Sequence, residues 1–316
     1  MPFRPSFTCL WCGATHTTRS TDDLEGWAQL CPECIGKAGD NGFLRFRLHQ
    51  ALRERGAASH GGDKTPSPVA VAEAPDIVAT PDSAAAAGPD GDIDRQMIDY
   101  YEARAPEYDD WYLRRGRYER GAIHDAAWNA ELDAAGRWLD GLPWGGQIVE
   151  LAAGTGWWSP LLASRGELSL YDASTAALDR ARERLVAHGL RAHLHVRDAW
   201  AEPDRQVDGL FMGFWLSHVP RERLAEFLAL CGRWLKPGGR IAFIDSLADA
   251  ASGAVDHPTP GEDRATRKLD DGREFTIVKV FYDPVDLRAA LSAAGFEDVD
   301  VTTTGRFFIL GSALRR

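Results

Sequence analysis

The sequence predicts an α/β protein, a doubly wound and mostly parallel sheet preceded by a small module organised around cysteines. Three observations predict it. Short apolar runs alternate with longer amphipathic segments through the C-terminal two thirds of the chain. A glycine-rich turn, Ala-Ala-Gly-Thr-Gly, follows the first of those runs. Four of the five cysteines fall into two C-x2-C pairs near the N-terminus. A length of 316 residues leads one to expect about two domains, and 44% apolar content with 10% aromatic is enough for one sizeable core.

The cysteine pairs come first in the chain. Cys9-Leu-Trp-Cys12 and Cys31-Pro-Glu-Cys34 are separated by eighteen residues, the spacing of a zinc ribbon. Each pair can wrap two thiolates around one ion from a tight turn, and four sulfur ligands close the coordination shell, so the expected ion is a structural zinc. His16 is a conceivable substitute ligand that four cysteines make unnecessary. So short a segment has little core, and metal binding worth about 10 to 16 kcal/mol in comparable peptides would supply its folding energy. The module is assigned to residues 1–56. Residues 43–55, FLRFRLHQALRER, read as a basic helix with Arg45, Arg47, Arg53 and Arg55, yet the module holds seven Lys or Arg against six Asp or Glu. That balance favours docking on a protein partner, or on the rest of the chain, over nucleic acid.

Residues 57–92 are dominated by Ala, Pro, Gly, Asp and Ser and read as a disordered linker, because nothing in them buries enough surface to offset ordering. Residues 93–316 make the second domain. QIVELA (147–152), ELSLYD (167–172), AHLHVR (192–197), DGLFMGF (208–214) and RIAFID (240–245) read as strands, with helices at 174–188 and 221–235. Such an alternation implies a parallel sheet whose ligands bind at the carboxyl ends of the strands, which puts the loops after residues 152, 172, 197 and 213 on one rim. Seven strands are expected in all, plus an insertion: LDDGREFTIVKVFYDP (269–284) reads as an extra strand after the fifth. Arg264, Arg267 and Lys268 precede it and Arg273 lies in its turn. Folded over the cleft, these side chains could clamp a carboxylate or phosphate. Cys231 falls on the apolar face of the 221–235 helix and reads as a core residue.

The rim carries the chemistry. Gly154 and Gly156 permit a turn that side chains would block, and Asp172 ends the second strand where a carboxylate can accept both hydroxyls of a ribose. Asp198 follows the third strand, placed to meet an adenine amino group, with Ala199 and Trp200 beside the ring. Glu150 stands just before the turn, where a second negative group would repel a pyrophosphate, and the glycines follow Ala152 in the pattern A-x-G-x-G. With RWLKPGGRIAFID announcing the fifth strand, these details favour a cationic adenosyl ligand over a dinucleotide.

On these motifs the chain resembles the class I S-adenosylmethionine-dependent methyltransferases, whose sheet is Rossmann-like. ELAAGTG is similar to their first motif, LYD to the second, RDA to the third and LKPGG to the turn before the fifth strand, over residues 95–316. Ala152, where the family often has Gly, is a small departure. The resemblance implies S-adenosylmethionine as methyl donor, Asp172 on its ribose, Asp198 and Ala199 with Trp200 on its adenine, and Gly154 with Glu150, Ala152 and Gly156 around its methionine portion. Residues 97–121 are similar to the lid that small-molecule methyltransferases lay across the cleft. Pro106 ends one helix near Arg104 and starts another. Tyr108, in EYDDWY, would touch the donor, and Tyr100, Tyr101 and Trp111 would shield its sulfonium. His218, in FWLSHVP after the fourth strand, is the best-placed neutral base if the acceptor must lose a proton.

The function expected is methyl transfer to a small-molecule acceptor by in-line displacement. Two alternatives stand beside it: an RNA methyltransferase whose ribbon delivers ribosomal or transfer RNA, and a non-catalytic scaffold that binds the donor. The net charge of −11 argues against a surface that grips nucleic acid. No apolar run approaches the roughly 20 residues that span a bilayer, and the N-terminus lacks a signal peptide's apolar core, so the expected location is the cytoplasm.

Overall fold

In the central sheet, neighbouring residues of one strand enter different cores. The structure is a computed structural model that describes residues 3–38, 44, 47, 48, 51, 52, 55, 78, 79, 91–257 and 263–316. Along β4 (Gln147–Leu151), Val149 and Leu151 belong to one buried cluster and Ile148 to the other. The same division holds in β7 (Val207–Gly213), Leu210 and Met212 against Phe211, and in β8 (Leu235–Ser246), Ile241 and Phe243 against Ala242 and Ile244. A strand covered on both faces reads as a continuous apolar run, which is why these segments stood out in the sequence.

The chain divides into two units, Met1–Glu73 and Ala74–Arg316. In the second, the sheet runs β11 (Phe296–Thr303), β12 (Phe308–Arg315), β8, β7, β4, β5 (Glu167–Asp172), β6 (His193–Val196) and β3 (Val78–Ala79). Strands β8, β7, β4, β5, β6 and β3 pair in parallel, and β12 is antiparallel to both β8 and β11. This is the Rossmann-like sheet expected, seven strands with the short β3 added at an edge. Helices α5 (Ala122–Gly141), α6 (Ser159–Ala163) and α7 (Thr175–Ala187) cover one face, and α8 (Leu224–Trp234) and α9 (Pro284–Ala293) the other. Because β4 lies between β5 and β7, the strand order switches there, and a crevice opens at the carboxyl ends of these strands.

Before the sheet, α3 (Gly91–Arg104) and α4 (Tyr108–Leu113) form the two-helix strap that Pro106 announced. The insertion differs from the single strand expected. It is an antiparallel hairpin of β9 (Arg264–Lys268) and β10 (Glu274–Val278), and its apolar side packs with Met97 and Tyr100 of α3. Strand β9 is not legible in the sequence, because RATRK has no apolar alternation beyond Ala265.

The first unit contains β1 (Ser6–Thr8), β2 (Thr15–Thr17), α1 (Leu24–Ala28) and a short α2 (Pro32–Gly36). The first two pair antiparallel, with Phe7 opposite His16. Arg47 does not present its charge outward as a basic docking helix would. It is buried, and its Nε and Nη2 donate to the Ala28 carbonyl at 3.1 and 2.9 Å. Arg55 likewise donates to the Asp22 carbonyl at 2.9 Å. Arg45, Arg53 and the linker expected at 57–92, apart from residues 78, 79, 91 and 92, lie outside the described residues. Among the described residues no helix is long and apolar enough to cross a membrane.

Candidate active site and metal centre

The sulfur atoms of Cys9, Cys12, Cys31 and Cys34 all lie within 4.8 Å of one another. Two local turns bring them there. Gly13, at φ 72°, donates its N–H to the Cys9 carbonyl at 3.0 Å, and Cys31 sits at the N-terminus of α2, so that Cys34 falls in its first turn. The backbone N–H of Cys31 donates to the Cys9 sulfur at 3.3 Å. Four sulfurs 2.3 Å from a tetrahedral zinc would stand about 3.8 Å apart, and the Cys12 and Cys31 sulfurs are separated by 3.6 Å. The donor set therefore fits the ion. Burial works against ionising Cys9, but the N–H groups of Cys12, Cys31 and Trp11 outweigh it and bring that thiol down to about 7. His16 is outside the cluster and packs edge-on against Phe7, their ring centres 5.6 Å apart.

In the second unit a cavity of about 840 Å3 opens at the strand switch. Its walls include Ala152 and Gly154 after β4, Asp172 after β5, Asp198, Ala199 and Trp200 after β6, and Phe214 and Trp215 after β7. The strap contributes Tyr101, Ala105 and Tyr108. The four rim loops read from the sequence thus meet around one volume, of the size that holds a ligand.

The glycine-rich turn is built around Asp172. Its Oδ2 accepts the Gly154 N–H at 2.7 Å and its Oδ1 the Ser174 N–H at 2.8 Å. Burial raises this carboxyl, the two N–H groups pull it down, and Asp198 and Glu102 raise it again, leaving it at about 6. Ala152 adopts φ 49°, a left-handed conformation that costs an L-residue about 1 to 2 kcal/mol. The alanine therefore keeps the turn that glycine would make without strain. On the next loop, Asp198 accepts the Trp200 N–H at 2.7 Å, and the Trp200 ring lies between Phe227, 4.9 Å between ring centres, and the Arg223 guanidinium, 3.8 Å away.

Two of the nine donor-binding candidates do not line the cavity. A Cβ on Gly156 would come within 2.7 Å of the Ala181 side chain, so this glycine allows α7 to pack close to the turn. Glu150 points into the core and accepts the Ser159 hydroxyl at 2.6 Å; burial pushes its carboxyl up to about 8. The sequence had no spacing signal for the groups that fasten the strap. Glu102 accepts from the Ser174 hydroxyl at 2.6 Å and the Ala176 N–H at 3.2 Å. Asp109 accepts from the Thr155 hydroxyl at 2.6 Å and pairs with Arg184. Of the aromatics expected as a shield, Tyr101 and Tyr108 reach the cavity. Tyr100 is fully buried behind them, and Trp111 packs against Trp128 and Phe214.

His218 stands at the junction of cavity, strap and hairpin. Its Nδ1 is 2.6 Å from the Val278 carbonyl, which can only accept, so Nδ1 carries the proton. Its Nε2 then accepts from the Tyr101 hydroxyl at 2.7 Å. Burial, reinforced by the charges of Lys279, Arg267 and Arg104, holds this imidazole well below its usual range. It is neutral, and its lone pair is occupied by Tyr101.

Residues 148–239 match the protein family described as a methyltransferase domain. Over 176 residues the chain is 27% identical to the ubiquinone/menaquinone biosynthesis C-methyltransferase UbiE of Coxiella burnetii, covering 49% of this chain and 68% of that protein. Over 130 residues it is 35% identical to the dimethylglycine N-methyltransferase of Parasynechococcus marenigrum, covering 39% of this chain and 44% of the relative. Among solved structures the DhpI–SAH complex superposes with a TM-score of 0.56 at 29% identity, over 70% of this chain and 96% of that one. The DhpI–SAM–HEP complex has the same score and identity, over 71% and 98%.

Proposed function

We propose that this chain, a class I S-adenosylmethionine-dependent methyltransferase, methylates a small molecule held in the cavity beneath the strap. The observation that carries this reading is the roof. Tyr101, Ala105 and Tyr108 cover the crevice, and Glu102 and Asp109 fasten the strap to the turn and to α7, leaving a volume suited to a donor and a compact acceptor. The names of the relatives, which include a dimethylglycine methyltransferase, support the same class of acceptor.

The residues fit the donor. Asp172 would hold the ribose, Asp198, Ala199 and Trp200 the adenine, and Ala152 with Gly154 the methionine portion, all of them lining the one cavity. The walls carry four aspartates, Asp94, Asp99, Asp172 and Asp198, against two arginines, Arg95 and Arg223, and that excess of negative charge favours a sulfonium cation. When bound, S-adenosylmethionine supplies an electrophilic methyl group whose leaving thioether needs no acid. Orientation by the chain is then the main contribution, worth about 7 to 11 kcal/mol when the reacting atoms are well placed.

Tyr101, more than His218, is the group placed to touch the acceptor. Its proton is committed to His218, so its oxygen offers lone pairs to the cavity and can accept a hydrogen from the acceptor's N–H or O–H. His218 is a positioning residue, because an imidazole so hard to protonate is a weak base. Calorimetry with S-adenosylmethionine and S-adenosylhomocysteine tests donor binding. Transfer of labelled methyl into a metabolite extract, compared with transfer into bulk RNA, tests the acceptor class. Label confined to RNA would overturn the reading.

A further inference from the structure

The turn that carries His218 (Leu216–His218) is gripped by a buried amine that the reading above leaves without a role. Lys279 follows β10 directly and is 9% exposed. Its Nζ donates to the Ser217 hydroxyl at 2.8 Å and to the Ser246 hydroxyl at 3.4 Å. The backbone on either side continues the grip: the Val278 carbonyl accepts from His218 Nδ1, and the Val280 N–H donates to the Ser217 carbonyl at 2.8 Å. From the sheet, Asp245 at the end of β8 accepts the Ser217 N–H at 2.8 Å and the Ser246 N–H at 2.7 Å, and it lies 3.9 Å from Nζ. The hairpin and the sheet thus hold the same turn, with Lys279 joining them.

Burying an ion pair costs both partners their hydration, and apolar residues of the same size commonly stabilise a fold as well. Packing therefore gives no reason for an ammonium at this place, whereas its effect on His218 does. The charged groups around the imidazole are Lys279 after β10, Arg267 on β9 and Arg104 on α3, with Asp245 of β8 paired to Lys279. Burial is the largest influence that keeps the ring neutral, and the Lys279 charge is the next, ahead of both arginines. Burial also pushes Lys279 itself down to about 8, with Asp245 opposing it and the two arginines adding to it, so at neutral pH the amine remains mostly charged. A protonated imidazole would reverse the contact with Tyr101. Both of its nitrogens donate, so Nε2 would occupy a lone pair of the Tyr101 oxygen and turn the phenol proton elsewhere.

We propose that Lys279 is a positioning residue for methyl transfer: it grips the His218 turn from the hairpin, and its charge keeps that imidazole neutral, so that Tyr101 commits its proton to His218 and presents oxygen lone pairs to the acceptor. This rests on the methyl-transfer reading above. Lys279 does not line the cavity, whereas Tyr101 and His218 do, so it acts through them. Tyr101 keeps its own proton, because burial pushes its hydroxyl well above the ordinary value.

The test is the titration of His218, followed by nitrogen-15 NMR on the histidine-labelled full chain and identified by the signals lost in His218→Asn. In the parent protein the ring should stay neutral, with its proton on Nδ1, down to about pH 5. Lys279→Gln keeps a donor for Ser217 without the charge, and it should raise the midpoint by about one unit or more. Lys279→Met, which keeps only the stem, should give the same rise, and Lys279→Arg, which keeps the charge, should leave the midpoint where the parent has it. A parent ring that titrates near its ordinary value, or a midpoint unmoved in both Lys279→Gln and Lys279→Met, would overturn the proposal. Incorporation of labelled methyl from S-adenosylmethionine into a metabolite extract should fall in Lys279→Gln below that same midpoint. A loss equal at every pH is what a merely structural lysine would give, and it would overturn the proposal too. If the parent transferred no methyl at all, the methyl-transfer reading would fail instead, and the His218 titration would still decide what Lys279 does to the ring.

Discussion

The hydroxyl of Tyr101 and Nε2 of His218 are joined by a 2.7 Å hydrogen bond across 117 residues of sequence, linking the strap to the loop after β7. Val278 fixes its direction by holding the proton on Nδ1. Tyr101→Phe should lower kcat by about tenfold or more, with S-adenosylhomocysteine affinity unchanged, since it removes the cavity-lining hydroxyl proposed to meet the acceptor. His218→Asn should be milder. As the imidazole stays neutral well below its usual range, kcat should show no histidine limb between pH 6 and 8. A limb near pH 6.5 that vanishes in His218→Asn would show that His218 is the base after all.

Donor binding should depend on the ionisation of Asp172. A carboxylate accepts two ribose hydroxyls and a protonated acid does not, and its pKa in the folded protein is about 6. Affinity for S-adenosylhomocysteine should therefore be level above that pH and fall about tenfold per unit below it. Asp172→Ala should abolish binding at every pH. Affinity independent of pH down to 5 would contradict this role.

Glu150 should affect stability and leave the donor alone. Its folded pKa of about 8 lies above the ordinary 4.5, so the folded chain keeps a proton that the unfolded chain has released. The stability this contributes is complete below pH 4.5 and declines as pH rises to about 8. Glu150→Gln keeps the shape without the titration. It should melt near the parent at pH 5 and above it at pH 8.5, with donor affinity unchanged. A donor affinity lost in this variant would place Glu150 in the binding site.

Removing zinc should unfold the first unit and spare the second. The small core of Phe7, Leu30 and Leu44 with the cysteines has little apolar surface of its own, whereas the sheet carries two large cores. Hydrogen exchange on the full chain, with a chelator or with Cys31→Ser, should show protection lost across residues 3–38 and retained in β4, β7 and β8. Unchanged protection in the first unit would mean that the cysteines are not its metal centre.

By itself the sequence determined what short-range chemistry controls. Two-sided burial makes strands into apolar runs, so β4, β5 and β7 were legible, and Pro106 had to divide the strap. The four cysteines were legible because two thiolates in one tight turn need a fixed spacing. The rim acids Asp172 and Asp198 were legible because strand ends in a parallel sheet converge on one edge. Only the tertiary structure decided which way side chains point. It turned Glu150 and Gly156 into the packing behind the turn and Arg47 into the interior of its module. Their partners, Ser159, Ala181 and Ala28, belong to other elements, and no local periodicity records which groups will meet. The same holds for Tyr101 and His218: each residue type was visible in its own segment, and the hydrogen bond between them exists only because the hairpin and the sheet close around it.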